Sequence, residues 1–296
     1  MPMPNDLVLI RHGESDGNVV THAASQGDLT GYTEAFATTP GHQWRLTALG
    51  RLQAAVIGAW VTQTFPALTT DQAGVAAPGV DDRTVGDAPE RPGTSFDRCY
   101  VSPYVRTRET AGHMGLPGSR WLMNRALRER DWGDIGSMPR QRFAANYPDN
   151  ARMKERDPLY WAPPGGESIA HVAEDRVRNV LATLQRECEG GSVLMVTHGE
   201  LMWAFRMVLE RWNDEDFCRY DKDEAQKIHN CMAWHYTRVN PVTGAIASRL
   251  SWVRSATPVI VDGRASVVVT PFRYFPFAGL SSEELLTSVE NVPSLP

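Results

Sequence analysis

Apolar positions along the chain follow two periods. Leu7-Val8-Leu9-Ile10 is a short, fully apolar run, the pattern of a strand buried on both faces of a parallel sheet. Val193-Leu194-Met195-Val196 is a second such run, following Gly190-Gly191 and leading into Thr197-His198-Gly199. Phe96 to Val101 reads as a third strand, interrupted by Asp97 and Arg98. Between these runs the period becomes helical. From Thr47 as N-cap, Leu49, Leu52, Val56, Trp60 and Val61 keep the spacing of one helix face. Ser102-Pro103 has the form of an N-cap with a first-position proline, predicting a helix through about Gly112. Ser168 heads a longer helix, with Ile169, Val172, Val177, Val180, Leu181 and Leu184 on one face and Gly190 at its stop. Another runs from Gly199 to about Arg211.

Strands alternating with helices in this way predict an α/β fold, a three-layer sandwich with a mainly parallel central sheet flanked by helices. The C-terminal part adds strands. Ala233–Val239 and Ala245–Val253 flank an Asn240-Pro241 turn; Pro258–Val261 and Ala265–Thr270 flank Asp262-Gly263, a strong hairpin signal. Ser281 to Glu290 reads as a short final helix with a Ser281/Glu284 capping box. Residues 66–95 interrupt the pattern: eight of the thirty are Pro or Gly, so the stretch reads as an inserted surface loop. With no internal repeat and no dividing linker, 1–296 is expected to form one domain.

Composition narrows the class. At 42% hydrophobic and 22% charged, the chain is in the soluble globular range. A net charge of −5 argues against bulk nucleic-acid or anionic-membrane binding. A small anion held by a few converging arginines stays open. Cys99, Cys188, Cys218 and Cys231 form no CxxC pair, which fits neither a zinc site nor a disulfide framework. The N-terminal MPMPND lacks a signal-peptide pattern and no apolar run approaches a membrane span, so a cytoplasmic location is expected.

The candidate chemistry sits where the apolar strands end. Arg11-His12-Gly13-Glu14-Ser15 follows the first strand, at the carboxyl edge where open α/β sheets bind ligands. His198-Gly199 takes the same place after the second. Two separate stretches thus deliver a histidine to one edge.

The string RHGESDGN (11–18) resembles the signature of the histidine phosphatase superfamily, which includes the cofactor-dependent phosphoglycerate mutases. RHG alone is a weak signal, but four further segments agree in order and spacing. SPYVRTRETA (102–111) is similar to the family's second arginine segment and LRERDWGDIG (127–136) to its acid-bearing segment. PGGES (164–168) resembles the stretch before a long helix, and VTHGE (196–200) the second-histidine segment. The resemblance covers about residues 7–210 and implies a phosphoglycerate mutase-like fold. ERDWG and the segment YTEAFATTPGHQWRLT look closer to a phosphatase-like branch than to the glycolytic mutases.

Breaking a phosphate monoester needs a nucleophile, cations for the phosphoryl oxygens and an acid for the departing alkoxide. The resemblance assigns these parts. His12 attacks phosphorus and becomes a phosphohistidine. Arg11 and Arg106 hold the phosphoryl oxygens through forked, charge-assisted bonds. His198 donates to another oxygen, the helix starting at Gly199 adds backbone N–H groups, and Asn18 is a further donor by its motif position. Glu129 protonates the leaving group and then deprotonates the attacking water, which calls for a raised pKa. No metal or other cofactor is implied, because the arginines and histidines neutralise the phosphate.

Rivals stand beside several assignments: Arg108 for Arg106, and Asp131 or Glu14 for Glu129. His22, His42, His113, His171, His229 and His235 show no partner spacing that demands a role. Glu167 reads as a helix-start carboxylate, and Trp132, Trp161 and Trp203 as packing. Tyr32, Arg45 and Arg130 are candidate substrate contacts. Three functions compete: a phosphatase, with a small phosphorylated substrate and water as acceptor; a mutase, with a sugar-acid hydroxyl as acceptor; and a non-catalytic phosphate-binding module. The completeness of the set favours an enzyme, and ERDWG with the C-terminal strands favours the phosphatase. Neither the leaving group nor the oligomeric state is written in the composition.

Overall fold

The two apolar runs lie side by side at the centre of one mixed sheet. The computed structural model of the protein describes residues 2–66, 96–276 and 279–290. Strand β1 (Asp6–Arg11) is followed by helices α1 (Asp16–Ser25), α2 (Glu34–Thr38) and α3 (Ala48–Thr64). Next come β2 (Arg98–Val101), α4 (Val105–His113), β3 (Trp121–Met123), α5 (Arg140–Asn146) and α6 (Pro148–Arg156). One helical stretch then joins α7 (Ile169–His171), a π-helical turn over Val172–Val177 and α8 (Arg178–Glu187). Strand β4 (Ser192–Thr197) leads into α9 (Gly199–Glu210) and α10 (Asp214–Asp221). Strands β5 (Ala233–Thr237), β6 (Trp252–Val261), β7 (Arg264–Val269) and β8 (Arg273–Tyr274) precede α11 (Ser282–Val289).

The strand order is β3-β2-β4-β1-β5-β6-β7, with β8 paired to β6. Strands β3, β2, β4 and β1 run parallel to one another, and β5 to β8 extend the sheet antiparallel from β1. Leu7 pairs with Val193 and Arg11 with Thr197, so both chains leave the sheet at the same edge. Both faces are covered, which is why the central runs carry no polar alternation. Leu7, Leu9, Val193 and Met195 pack with Val172, Val177, Leu184, Leu201 and Phe205. Val8, Ile10, Leu194 and Val196 pack with Ala54, Ile57, Val61 and Ala111 on the other side. The result is the three-layer α/β sandwich with added C-terminal strands expected from the sequence.

Several boundaries move. The helix expected from Ser102-Pro103 begins only at Val105, because the Ser102 N–H still donates to Val196 O at 3.1 Å and extends the ladder to β4. The strand expected at 96–101 begins at Arg98, and Asp97 instead receives the Ser192 N–H on its carboxylate at 2.7 Å. In α3, Thr47 caps by accepting the Gly50 N–H, but the buried face is Ala54, Ile57, Trp60 and Val61, with Leu49 and Leu52 exposed. The strand expected at 245–253 gives way to a turn region up to Ser251, whereas the one expected at 258–261 forms as the end of the longer strand β6. Pro258 is tolerated within β6 because β5 pairs it only from Trp252 to Ala256, leaving one side open beyond. Asp262-Gly263 closes the β6–β7 hairpin with both φ angles positive. Ser281 caps α11 in a capping box with Glu284. The loop expected at 66–95 lies, apart from Pro66, outside the described residues.

Among the described residues no helix is long and apolar enough to cross a membrane, and all four cysteines are free.

Candidate active site

Five side chains meet at the carboxyl edge of the parallel strands: Arg11, the last residue of β1, His12 just after it, Arg106 from α4, Glu129, and His198 after β4. The backbone sets the first contact, since the His12 N–H donates to Thr197 O at 2.9 Å and ties the ends of β1 and β4 together. Behind this edge two glycine backbones touch. A Cβ on Gly50 would stand 2.0 Å from Glu14 O, so only glycine lets the start of α3 press against the loop that carries His12.

The tautomer of His12 follows from its partners. Its Nδ1 lies 2.7 Å from Gly13 O, which can only accept, so Nδ1 carries the proton and Nε2 keeps its lone pair. Arg106 Nε donates to that lone pair at 3.0 Å. From the same guanidinium, Nη2 donates to His198 Nδ1 at 3.1 Å and Nη1 to Gly41 O at 2.7 Å. The two rings stand 5.2 Å apart, nearly edge to face. Burial, reinforced by Arg106, holds both imidazoles well below the ordinary histidine pKa, so both are neutral.

Arg11 donates from Nη1 to Ile228 O at 2.5 Å, lies against Gly199, and leaves a buried Nε with no hydrogen-bond partner. A buried cationic donor left open at a sheet edge suits an anion. The first turn of α9 begins beside it at Gly199, with His198 as the N-cap residue. Glu129 Oε2 lies 4.0 Å from His198 Nδ1. Burial, with the nearby Glu200 carboxylate, pushes the Glu129 carboxyl up to about 7.

The rivals are otherwise engaged. Glu14 accepts from Thr47 Oγ1 at 2.7 Å, Asp131 from the Gly133 N–H at 2.9 Å, and Arg108 is exposed on α4. Asn18 is committed locally through its oxygen, which accepts from Ser15 N, Ser15 Oγ and Asn230 Nδ2, all at 3.1 Å; donation to a ligand falls to its Nδ2. Among the expected substrate contacts, Arg130 is a buried strut. It donates to Glu167 O at 2.6 Å and Trp161 O at 3.0 Å and pairs with Glu200 at 3.2 Å. Arg45 pairs with Glu109, and Tyr32 packs edge-on against Phe36. The segment carrying Phe36, Gly41 and Trp44 does reach the site, through Gly41 O on Arg106 and the Trp44 ring, whose centroid lies 6.0 Å from the Arg106 guanidinium.

Sequence reasoning missed the supports. Glu167, read as a helix-start carboxylate, accepts from Arg128 at 2.8 Å, Arg176 at 2.6 Å and the Asp131 N–H at 2.9 Å. Arg176, in the π-helical turn, also holds Ala126 O at 3.1 Å. Together they clamp the segment bearing Glu129. Ser102 and Asn230 were missed as well: Ser102 Oγ lies 2.8 Å from His198 Nε2, and Asn230 donates to His12 O at 3.1 Å. Each joins positions far apart in sequence, with no local periodicity to betray it. Among the described residues, no group of three or more His, Cys, Asp or Glu is arranged to hold a metal ion.

Two imidazoles, two guanidiniums and a carboxyl pushed up to about 7 thus stand together at one edge of the α/β sheet. Residues 86–231 match the model of the histidine phosphatase superfamily (branch 1), the family that the chain's sequence resembles. It is 34% identical over 131 residues to a 2,3-bisphosphoglycerate-dependent phosphoglycerate mutase of Azorhizobium caulinodans, covering 42% of this chain and 62% of that protein. It is 28% identical over 231 residues to the phosphoglycerate mutase-like protein AT74 of Arabidopsis thaliana, covering 73% and 60%. The chain therefore spans about three fifths of the length of these relatives. A mycobacterial glucosyl-3-phosphoglycerate phosphatase shares the fold, with a TM-score of 0.56, 22% identity, and coverage of 79% of this chain and 92% of that one.

Proposed function

We propose that this protein is a phosphatase that hydrolyses small phosphate monoesters through a phosphohistidine on His12, without a metal. The observation that carries the reading is the His12 imidazole. Its Nδ1 proton is tied to Gly13 O, and its Nε2 lone pair faces a guanidinium that a phosphoryl group can take over. When a dianion enters, Arg106 exchanges its imidazole acceptors for phosphoryl oxygens, Arg11 supplies its open donor, and His12 Nε2 is released for in-line attack. Charge spreading over the equatorial oxygens is met by two cations and by the first N–H groups of α9. Glu129, pushed up to about 7, is substantially protonated at neutral pH and gives its proton to the leaving alkoxide. It then takes a proton from the water that opens the phosphohistidine. His198 donates to a phosphoryl oxygen, and Nδ2 of Asn18 is a further donor.

A second reading, a phosphoglycerate mutase-type phosphotransferase, is favoured by the name of the Azorhizobium relative. It uses the same site, with a sugar-acid hydroxyl in place of water. One experiment separates them. Phosphate release from an ester panel in EDTA, absent in His12→Ala, is the result expected of the phosphatase. Phosphoryl transfer that requires a bisphosphate primer, with little release to water, is the mutase result.

A further inference from the structure

His198 is fully buried, and both of its ring nitrogens are engaged. Arg106 Nη2 can only donate, so Nδ1 is the acceptor at 3.1 Å. The proton of the neutral ring therefore sits on Nε2, where Ser102 Oγ accepts it at 2.8 Å. In this state His198 turns a lone pair, not a proton, towards the site. A phosphoryl oxygen, itself an acceptor, gains nothing from that atom until it is protonated.

We propose that His198 takes up a proton at Nδ1 as a phosphoryl dianion enters, and that Ser102 is the positioning residue that turns Nδ1 to the site by holding Nε2–H. The inference rests on the phosphate-site reading above. The step balances. Arg106 Nη2–H moves from Nδ1 to a phosphoryl oxygen, and one solvent proton adds to the freed lone pair. The imidazolium then donates from Nδ1 to a second phosphoryl oxygen and from Nε2 to Ser102 Oγ. No substrate bond breaks, and the net change is one proton bound.

The surroundings explain why the proton arrives with the anion. Burial disfavours the charged ring, and so do Arg106 from α4, His12 just beyond β1, Arg11 at its end, and Arg176 from the π-helical turn. Glu129, 4.0 Å away, is the facing carboxyl, and the Tyr104 ring at 4.9 Å carries no charge. A dianion between Arg11 and Arg106 offsets both cations and places negative charge beside Nδ1. Ser102, itself fully buried, remains an acceptor for Nε2–H in both states.

The test uses sulfate, a dianion that does not titrate near neutrality, with the full chain carrying Glu129→Gln so that this carboxyl cannot take the proton. At about pH 8, where histidine is ordinarily neutral, histidine ¹⁵N spectra should show His198 Nδ1 unprotonated without sulfate and protonated with it. Calorimetry in two buffers of different ionisation enthalpy should give one proton taken up per sulfate. Adding Ser102→Ala should weaken sulfate binding about tenfold, the loss of one buried hydrogen bond, and abolish the uptake. Sulfate binding with Nδ1 still unprotonated overturns the inference and leaves the phosphate site standing. No sulfate binding at all overturns both. Unchanged affinity and uptake in the Ser102→Ala form removes Ser102 from the proposal. If that variant does not fold, Asn replaces Ala, keeping an acceptor and with it the uptake; uptake lost there too counts against the role of Ser102.

Discussion

Arg106 Nε donates to His12 Nε2 at 3.0 Å, occupying the atom assigned to nucleophilic attack. Both inward imidazole lone pairs are thus taken by Arg106, while the buried Nε of Arg11 stays open. One guanidinium edge spans two imidazole lone pairs, and an incoming anion replaces both acceptors at once. A lysine ammonium is a point charge and cannot span them. Arg106→Lys is therefore expected to lower kcat/KM for an aryl phosphate about 10²–10³-fold, the range for losing a preorganised transition-state donor. Arg108→Lys, on the exposed side of the same helix, should stay within about twofold, since surface charges contribute little. Steady-state kinetics on the two variants make the comparison.

Glu129 sets the alkaline limb of the pH profile. An acid with a pKa of about 7 loses its proton as pH rises through that value, so kcat/KM for alkyl phosphates should fall above it. His12, held well below its ordinary pKa by burial and by Arg106, should place no acidic limb at the ordinary histidine value. Glu129→Gln should remove the alkaline limb and penalise alkyl esters far more than aryl esters, whose leaving groups need no proton. Equal penalties for both classes would place the acid elsewhere.

The same carboxyl costs stability. Its folded pKa of about 7 exceeds the ordinary 4.5, so the folded state holds the proton more tightly. No cost arises below 4.5, where both states are protonated. The cost grows between the two values and is complete above about 7, reaching roughly 3 kcal/mol. Glu129→Gln should accordingly stabilise the protein at pH 8 and much less at pH 5, as read from urea midpoints.

Gly50 tests the framework behind His12. A methyl group there would meet Glu14 O at 2.0 Å, a backbone atom that cannot swing aside. Gly50→Ala should cost about 1–3 kcal/mol, the range for overpacking, and lower kcat with it. Gly112→Ala in α4, where nothing lies within 4 Å of the added carbon, should instead be neutral or stabilising by up to about 1 kcal/mol. Thermal melts separate the two.

The parts of the site legible in the sequence were those written locally. Arg11-His12 and His198-Gly199 follow apolar runs, and the edge they share is a consequence of parallel pairing between β1 and β4. Thr47 and Ser281 were readable as caps because capping is a contact three residues long. Ser102 was misread for the same reason. Its local signal is a helix cap, but the ladder to Val196 and the ring of His198 compete for it and win. Arg130 reads in sequence as a substrate contact and Glu167 as a helix-start carboxylate, yet they join segments 37 and 36 residues apart, a relation no periodicity encodes. The π-helical turn that carries Arg176 leaves no mark in the apolar pattern, since Val172 and Val177 fit an ordinary helix face.

The most direct measurement is rapid acid-free quenching of the protein during turnover of an aryl phosphate in EDTA, followed by mass spectrometry of the peptide containing His12. Expected is the added mass of one phosphoryl group on His12, acid-labile, decaying as inorganic phosphate appears, and absent in His12→Ala. Phosphate release at an undiminished rate from His12→Ala, or a phosphoryl group found on another residue, would contradict the assignment of His12 as the nucleophile.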